Sequence, residues 1–176
     1  NEIVNTNKIF KPSSILYELN KGIIASLNQG NMEDESQNDG MDITLCRIDM
    51  EEKIIELSCA NHVVFLVNND EIQMIEGDIH SIGGMFAVLK PPTYSDIIFP
   101  IQQDTAIYMF SDGFQDQFSG TTKQKFMLNR LKELIFSLRK KTMNEQLEHL
   151  RKAYFEWKGE YQQIDDILVM GIKFHN

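Results

Sequence analysis

Two places in this chain carry residues able to do chemistry, and both sit where an apolar run meets carboxylates. In the stretch IYMFSDGFQDQF, Ile107 to Phe118, an apolar run stops at Ser111-Asp112-Gly113, and Asp116 follows four residues after Asp112. A side chain at the end of a buried strand, followed by a glycine that lets the backbone turn, is held at the rim of the sheet and aimed into the adjoining cleft. A plain turn reads the same way, because Asp and Gly are favoured turn residues on hydrogen-bonding and steric grounds. The second place is Asp165-Asp166, at the entry of Ile167-Leu168-Val169-Met170. Consecutive strand residues face opposite sides of a sheet, so one of this pair is a ligand candidate and the other is solvated or caps a neighbour. Carboxylates that converge at strand ends repel unless a cation lies between them. Hard divalent ions such as Mg²⁺ and Mn²⁺ take such oxygens together with water. Convergence here would mean a metal, and with it hydrolysis or phosphoryl transfer.

The elements that must position these residues are legible as periodicities. Pro12-Ser13-Ser14 opens a stretch in which Ile15, Leu16, Leu19, Ile23, Ile24 and Leu27 recur at helical intervals, which predicts a helix over 12–29. The polar, acidic run over 29–40 is expected to be a mobile surface loop. The period then becomes strand-like through DITLCRID, KIIELSCA, HVVFLV, EIQMIE, YSDIIFPI and TAIYMF, with turns at Met50-Glu51-Glu52 and Asn68-Asn69-Asp70. Six short strands on tight turns predict an antiparallel meander. Two helical stripes follow, Met127 to Leu138 and Met143 to Trp157, and DDILVMGIKF returns to the sheet as a last strand. The order predicts an α+β protein with helices laid on antiparallel sheet, not a doubly wound parallel one.

Composition narrows the function. The chain has 176 residues, of which 42% are hydrophobic, which suits one packed domain over 1–176. Its 17 Lys+Arg against 26 Asp+Glu give a formal charge of −9, which disfavours nucleic acid and anionic membrane as partners. No apolar run reaches the roughly 20 residues that cross a bilayer, and NEIVNTNKIF lacks the blocks of a secretory signal, so a cytoplasmic protein is expected. Cys46 and Cys59 lie in strand-like segments without metal spacing and read as plain thiols. A nucleotide-binding GxxxxGK[ST], a zinc HExxH and a Ser-centred GxSxG are all missing from the sequence. An opening on Asn1 suggests a piece of a longer protein.

Four features occur together and in a fixed order: Leu57-Ser58-Cys59-Ala60-Asn61-His62 before a second hairpin strand, Ile82-Gly83-Gly84 in the next loop, Ser111-Asp112-Gly113 after IYMF, and Asp165-Asp166-Ile167 at the last strand. In this the chain resembles the metal-dependent serine/threonine protein phosphatases (type 2C), in the bacterial branch typified by the stage II sporulation protein E phosphatase domain. The resemblance implies an antiparallel β-sandwich flanked by α-helices. It also implies a centre of two Mn²⁺ or Mg²⁺ ions, about 3.5–4 Å apart, that activates a water against phosphoserine or phosphothreonine. By motif, Asp112 and Asp165 match metal ligands, Gly113 allows close approach beside the metals, Asp166 lies next to the ligands, and Asp116 could hold a metal-bound water. The implied partners are a phosphorylated regulatory protein as substrate and a sensor or repeat region ahead of the domain in the parent chain.

The resemblance is incomplete at the front. The family's early aspartate strand and its Asp-x-x-Gly-His-Gly type segment have no counterpart, since none of His62, His80, His149 and His175 is flanked by glycines. NEIV reads as the tail of the helix after that segment. The chain is therefore expected to be an N-terminally incomplete domain that holds metal weakly or not at all, lacks activity by itself, and self-associates through uncovered sheet edge or core. The alternative is a phosphatase-like module that has lost its chemistry and binds a partner.

Overall fold

The computed structural model describes residues 2–29 and 39–175, so positions 30–38 of the expected polar loop lie outside the described residues. Residues 2–6 form one wide helical turn, ahead of α1 (Pro12–Ser26). Then come β1 (Gly40–Met41), β2 (Ile43–Asp49), β3 (Ile54–Ala60), β4 (Val63–Asn68), β5 (Glu71–Glu76), β6 (Ile82–Gly83), α2 (Gly84–Leu89), β7 (Ile97–Pro100) and β8 (Ala106–Phe110). The chain continues through α3 (Gly113–Asp116), α4 (Leu128–Leu138), α5 (Met143–Lys158) and β9 (Val169–Lys173). The six predicted strands and the three long helices all form.

The strands do not form the single meander expected from their order. β2, β3 and β7 make one sheet in the order β2-β3-β7, and a second runs β5-β4-β8-β9. β3 and β4 are consecutive in sequence, yet each pairs elsewhere: β3 with β2 and β7, β4 with β8. The link between them, Asn61, sits at φ 49°, a left-handed position that Asn tolerates and that turns the chain sharply. The hairpin expected after Leu57–His62 is therefore replaced by a change of sheet.

Chain contacts gather the molecule into two compact units, residues 1–63 with 75–101, and residues 64–74 with 102–176. In the first unit α1 lays Leu16, Leu19 and Ile23 against Ala60, Ile82, Ile43 and Leu45. The start of α1 is anchored by Asp96, whose carboxylate accepts the Ser13 N–H at 2.7 Å and the Ser13 hydroxyl at 2.6 Å, satisfying a donor that no helix turn can reach. Cys46 and Cys59 are free in this unit. Burial pushes the Cys46 thiol up to about 11 and raises that of Cys59.

In the second unit Phe65, Leu66, Ile107 and Tyr108 of β4 and β8 are fully buried, as are Leu131 and Ile135 of α4. α5 starts at a capping box in which Thr142 and Glu145 exchange hydrogen bonds. It docks to β8 through one buried polar pair, the Tyr108 hydroxyl donating to Gln146 Oε1 at 2.7 Å.

Candidate functional site

β8 is paired on both sides, with β4 and with β9, so its end at Phe110 is fixed in the sheet. The chain leaves it at Ser111 and turns at once into α3. Asp112 is the residue that caps this short helix, is exposed, and makes no cap bond with its side chain. One turn later the Asp116 N–H donates to the Asp112 carbonyl at 3.0 Å, so the four-residue spacing read from the sequence is a helical turn. The Asp116 carboxylate is taken up by Lys125, at 2.9 Å.

The second carboxylate pair arrives from the other direction. Asp165 and Asp166 lie in irregular chain, short of the first residue of β9, Val169, so strand alternation does not govern which of them faces the rim. Their conformation is set locally: Asp165 Oδ1 accepts the Asp166 N–H at 2.7 Å, and Gln163 Nε2 donates to the Asp165 carbonyl at 2.8 Å. This segment is laid against the Ser-Asp-Gly turn. The Ser111 N–H donates to the Leu168 carbonyl, and a Cβ built on Gly113 would stand 2.3 Å from the Asp166 carbonyl oxygen. Glycine at 113 is required for that approach, since no side chain fits there. Asp112, Gly113, Asp165 and Asp166 thus come from two stretches in direct contact at one end of the β8–β9 pair. Among the described residues no three His, Cys, Asp or Glu side chains are gathered as a metal cage.

A residue with no outward signal in the sequence holds the far side of α3. Gln117 is fully buried. Its Nε2 donates to the Phe118 and Gln162 carbonyls at 3.1 and 3.0 Å, its Oε1 accepts the Tyr154 hydroxyl at 2.8 Å, and its backbone carbonyl accepts Trp157 Nε1 at 2.9 Å. Gln162 is where the chain leaves α5 for the acidic segment, so Gln117 ties α3, α5 and that segment together. Gln117→Leu takes this partner from a buried hydroxyl, that of Tyr154, and from two carbonyls, those of Phe118 and Gln162, and is expected to lower unfolding stability by about 2–4 kcal/mol. Urea unfolding of the two forms measures it, and a loss within experimental error would show that Gln117 carries no weight.

No protein of the curated sequences matches this chain. Solved structures do. The SiaA-PP2C domain of Pseudomonas aeruginosa superposes with a TM-score of 0.79 at 22% identity, over 93% of this chain and 61% of that one. The Mn-presoaked phosphatase domain of the cell-fate determinant SpoIIE from Bacillus subtilis gives 0.58 at 14% identity, over 91% and 73%. The RsbU and RsbW domains of a Mycobacterium tuberculosis protein give 0.64 at 11% identity, over 97% and 43%. The chain thus spans 61% of the SiaA domain structure. The fold is that of the type 2C-like phosphatase domains, with the helices and antiparallel sheets expected from the sequence. The family described as stage II sporulation protein E (SpoIIE) matches residues 4–175, and the chain belongs to it.

Proposed function

We propose that this chain is part of a bacterial signalling phosphatase that hydrolyses phosphoserine or phosphothreonine esters on a regulatory protein, with Asp112 and Asp165 as ligands to Mn²⁺ or Mg²⁺. One observation carries the reading: the turn bearing Asp112 lies in contact with the segment bearing Asp165, through the Ser111–Leu168 hydrogen bond and the bare face of Gly113. Residues 1–176 are read as one incomplete domain, since a single family match crosses both units.

The donor set suits a hard divalent ion. Both candidate ligands are exposed carboxylates, the oxygen donors that such an ion takes together with water. When bound, the metal would supply Lewis-acid activation of water and of the phosphoryl group. Asp112 and Asp165 bind and orient it. Asp166 steadies Asp165 by donating its N–H to Asp165 Oδ1, and Asp116, held by Lys125, braces the turn. Two aspartates are few donors for a pair of ions, so weak occupancy and negligible turnover are proposed for the 176-residue chain alone.

A regulatory partner is favoured by the mycobacterial neighbour, in which RsbU and RsbW domains are found together. A sensor or repeat region in the parent chain and a cytoplasmic site of action follow from that role. No described helix is long and apolar enough to cross a membrane. The competing reading, a partner-binding module without chemistry, gains from the lack of a three-ligand cage among the described residues. Release of phosphate from a phosphoserine peptide, with Mn²⁺ titrated in, tests the two. A form carrying the remainder of the matched domain that stays inert at every Mn²⁺ concentration would move the assignment to the binding module.

Self-association belongs to the same proposal. Among the described residues β9 is the last strand of its sheet with no strand on its outer edge, and it is accompanied by exposed Leu168 and Met170, with Leu147 and Phe155 of α5 beside them around a groove of about 680 Å³. Light scattering is expected to show dimers at high micromolar concentration, and a stable monomer there would refute it.

A further inference from the structure

The two acidic stretches are joined at one residue whose side chain is not acidic. The Ser111 hydroxyl donates to the Asp166 carbonyl at 2.8 Å and accepts the Leu168 N–H at 2.9 Å, across 55 and 57 positions of sequence. A hydroxyl has one proton and two lone pairs, so one small side chain can close both bonds at once. The Ser111 N–H adds a third bond, to the Leu168 carbonyl at 3.0 Å. The ladder between β8 and β9 ends at Phe110 opposite Val169. Ser111 therefore carries the pairing past the end of the strand and into the irregular chain that bears Asp165 and Asp166. The Asp166 carbonyl is seated between this hydroxyl and the bare face of Gly113.

We propose that Ser111 is a positioning residue for the metal centre: its hydroxyl clamps the 165–168 segment to the Ser-Asp-Gly turn and thereby sets the spacing of the Asp112 and Asp165 carboxylates. The proposal rests on the reading of those two aspartates as metal ligands. Both side-chain bonds are exposed. Water can therefore replace them when the hydroxyl is removed, and the fold loses little. The fixed spacing is what disappears. Loss of a group that orients metal ligands weakens metal affinity by about ten- to a hundredfold. Ser111→Thr keeps the hydroxyl and its two bonds, whereas Ser111→Ala keeps only the backbone bond.

The test is paramagnetic broadening of backbone amide NMR signals of the 176-residue chain as Mn²⁺ is added, a readout that registers weak binding without turnover. In the unmodified chain, signals at 111–116 and 164–168 are expected to broaden first, and the double variant Asp112→Asn with Asp165→Asn to lose that selectivity. Ser111→Ala is expected to need about tenfold more Mn²⁺ for the same broadening, with faster hydrogen exchange at the Leu168 amide and a nearly unchanged thermal midpoint. Ser111→Thr should restore the original titration. A Ser111→Ala titration that overlays the unmodified one would overturn the clamp and leave the metal site standing. If the unmodified chain shows no selective broadening, or if the selectivity survives loss of both aspartates, the metal-site reading falls and the positioning role falls with it.

Discussion

Asp112→Asn and Asp165→Asn are each expected to lower Mn²⁺-dependent phosphate release by at least about a thousandfold in a form carrying the remainder of the matched domain. The physical reason is charge. Asparagine keeps the shape of aspartate and an oxygen, but it removes the full negative charge that offsets a divalent cation. Lewis-acid activation is worth several kcal/mol, and each 1.36 kcal/mol is about tenfold in rate. Both side chains are exposed, so the exchange should leave thermal unfolding nearly unchanged, which separates lost chemistry from lost fold. Mg²⁺ gives up water reluctantly and needs near-octahedral oxygen geometry, so the 176-residue chain should release no phosphate above background. Robust metal-dependent release by that chain would show that it holds ligands other than these two.

Gly113→Ala is expected to do structural damage that the aspartate exchanges do not. The added methyl would meet the Asp166 carbonyl oxygen at 2.3 Å, its carbon at 3.0 Å and Ile167 Cγ1 at 3.2 Å. Two of these three atoms are backbone, so no rotamer relieves the contact, and either the turn or the acidic segment must shift. Forcing one carbon into packed structure typically costs about 1–3 kcal/mol, and the upper end is expected here. The same shift separates Asp112 from Asp165, so Mn²⁺ binding should fail together with stability. Urea unfolding and Mn²⁺ binding on one preparation decide it: full stability, or reduced stability with normal Mn²⁺ affinity, would mean that the two stretches are not coupled through this contact.

The parts of the molecule written in the sequence are those set by local period and local chemistry. α1, α4 and α5 follow apolar stripes, and β2 to β5, β7 and β8 follow short apolar runs between turn residues. Which strand pairs with which was not legible. Asn61 sends β4 to a different sheet from β3, and that choice depends on partners some forty residues further on, β7 and β8. α2 was also missed, because Gly84–Leu89 is too short to show a helical period between a glycine pair and Pro91-Pro92. In the site, Asp112 and Gly113 announce themselves as a break in an apolar run. Ser111 and Gln117 do not. A serine in a turn and a glutamine just past a short helix are ordinary residues until their partners, Leu168 and Gln162, are brought in from some fifty residues further along the chain.

The two thiols allow the opening of one unit to be timed separately from the other. Cys46 and Cys59 both belong to the β2–β3 hairpin of the first unit, and their raised thiol values leave only a trace of the reactive thiolate at neutral pH. Alkylation by iodoacetamide is therefore slow while that hairpin is shut and accelerates when it comes apart. Gly113, Gln117 and Ser111 all lie in the second unit. Labelling rates in their variants become a stopwatch on cooperativity: a rate that rises in step with lost stability marks a chain that melts as one body, and an unchanged rate marks halves that come apart independently.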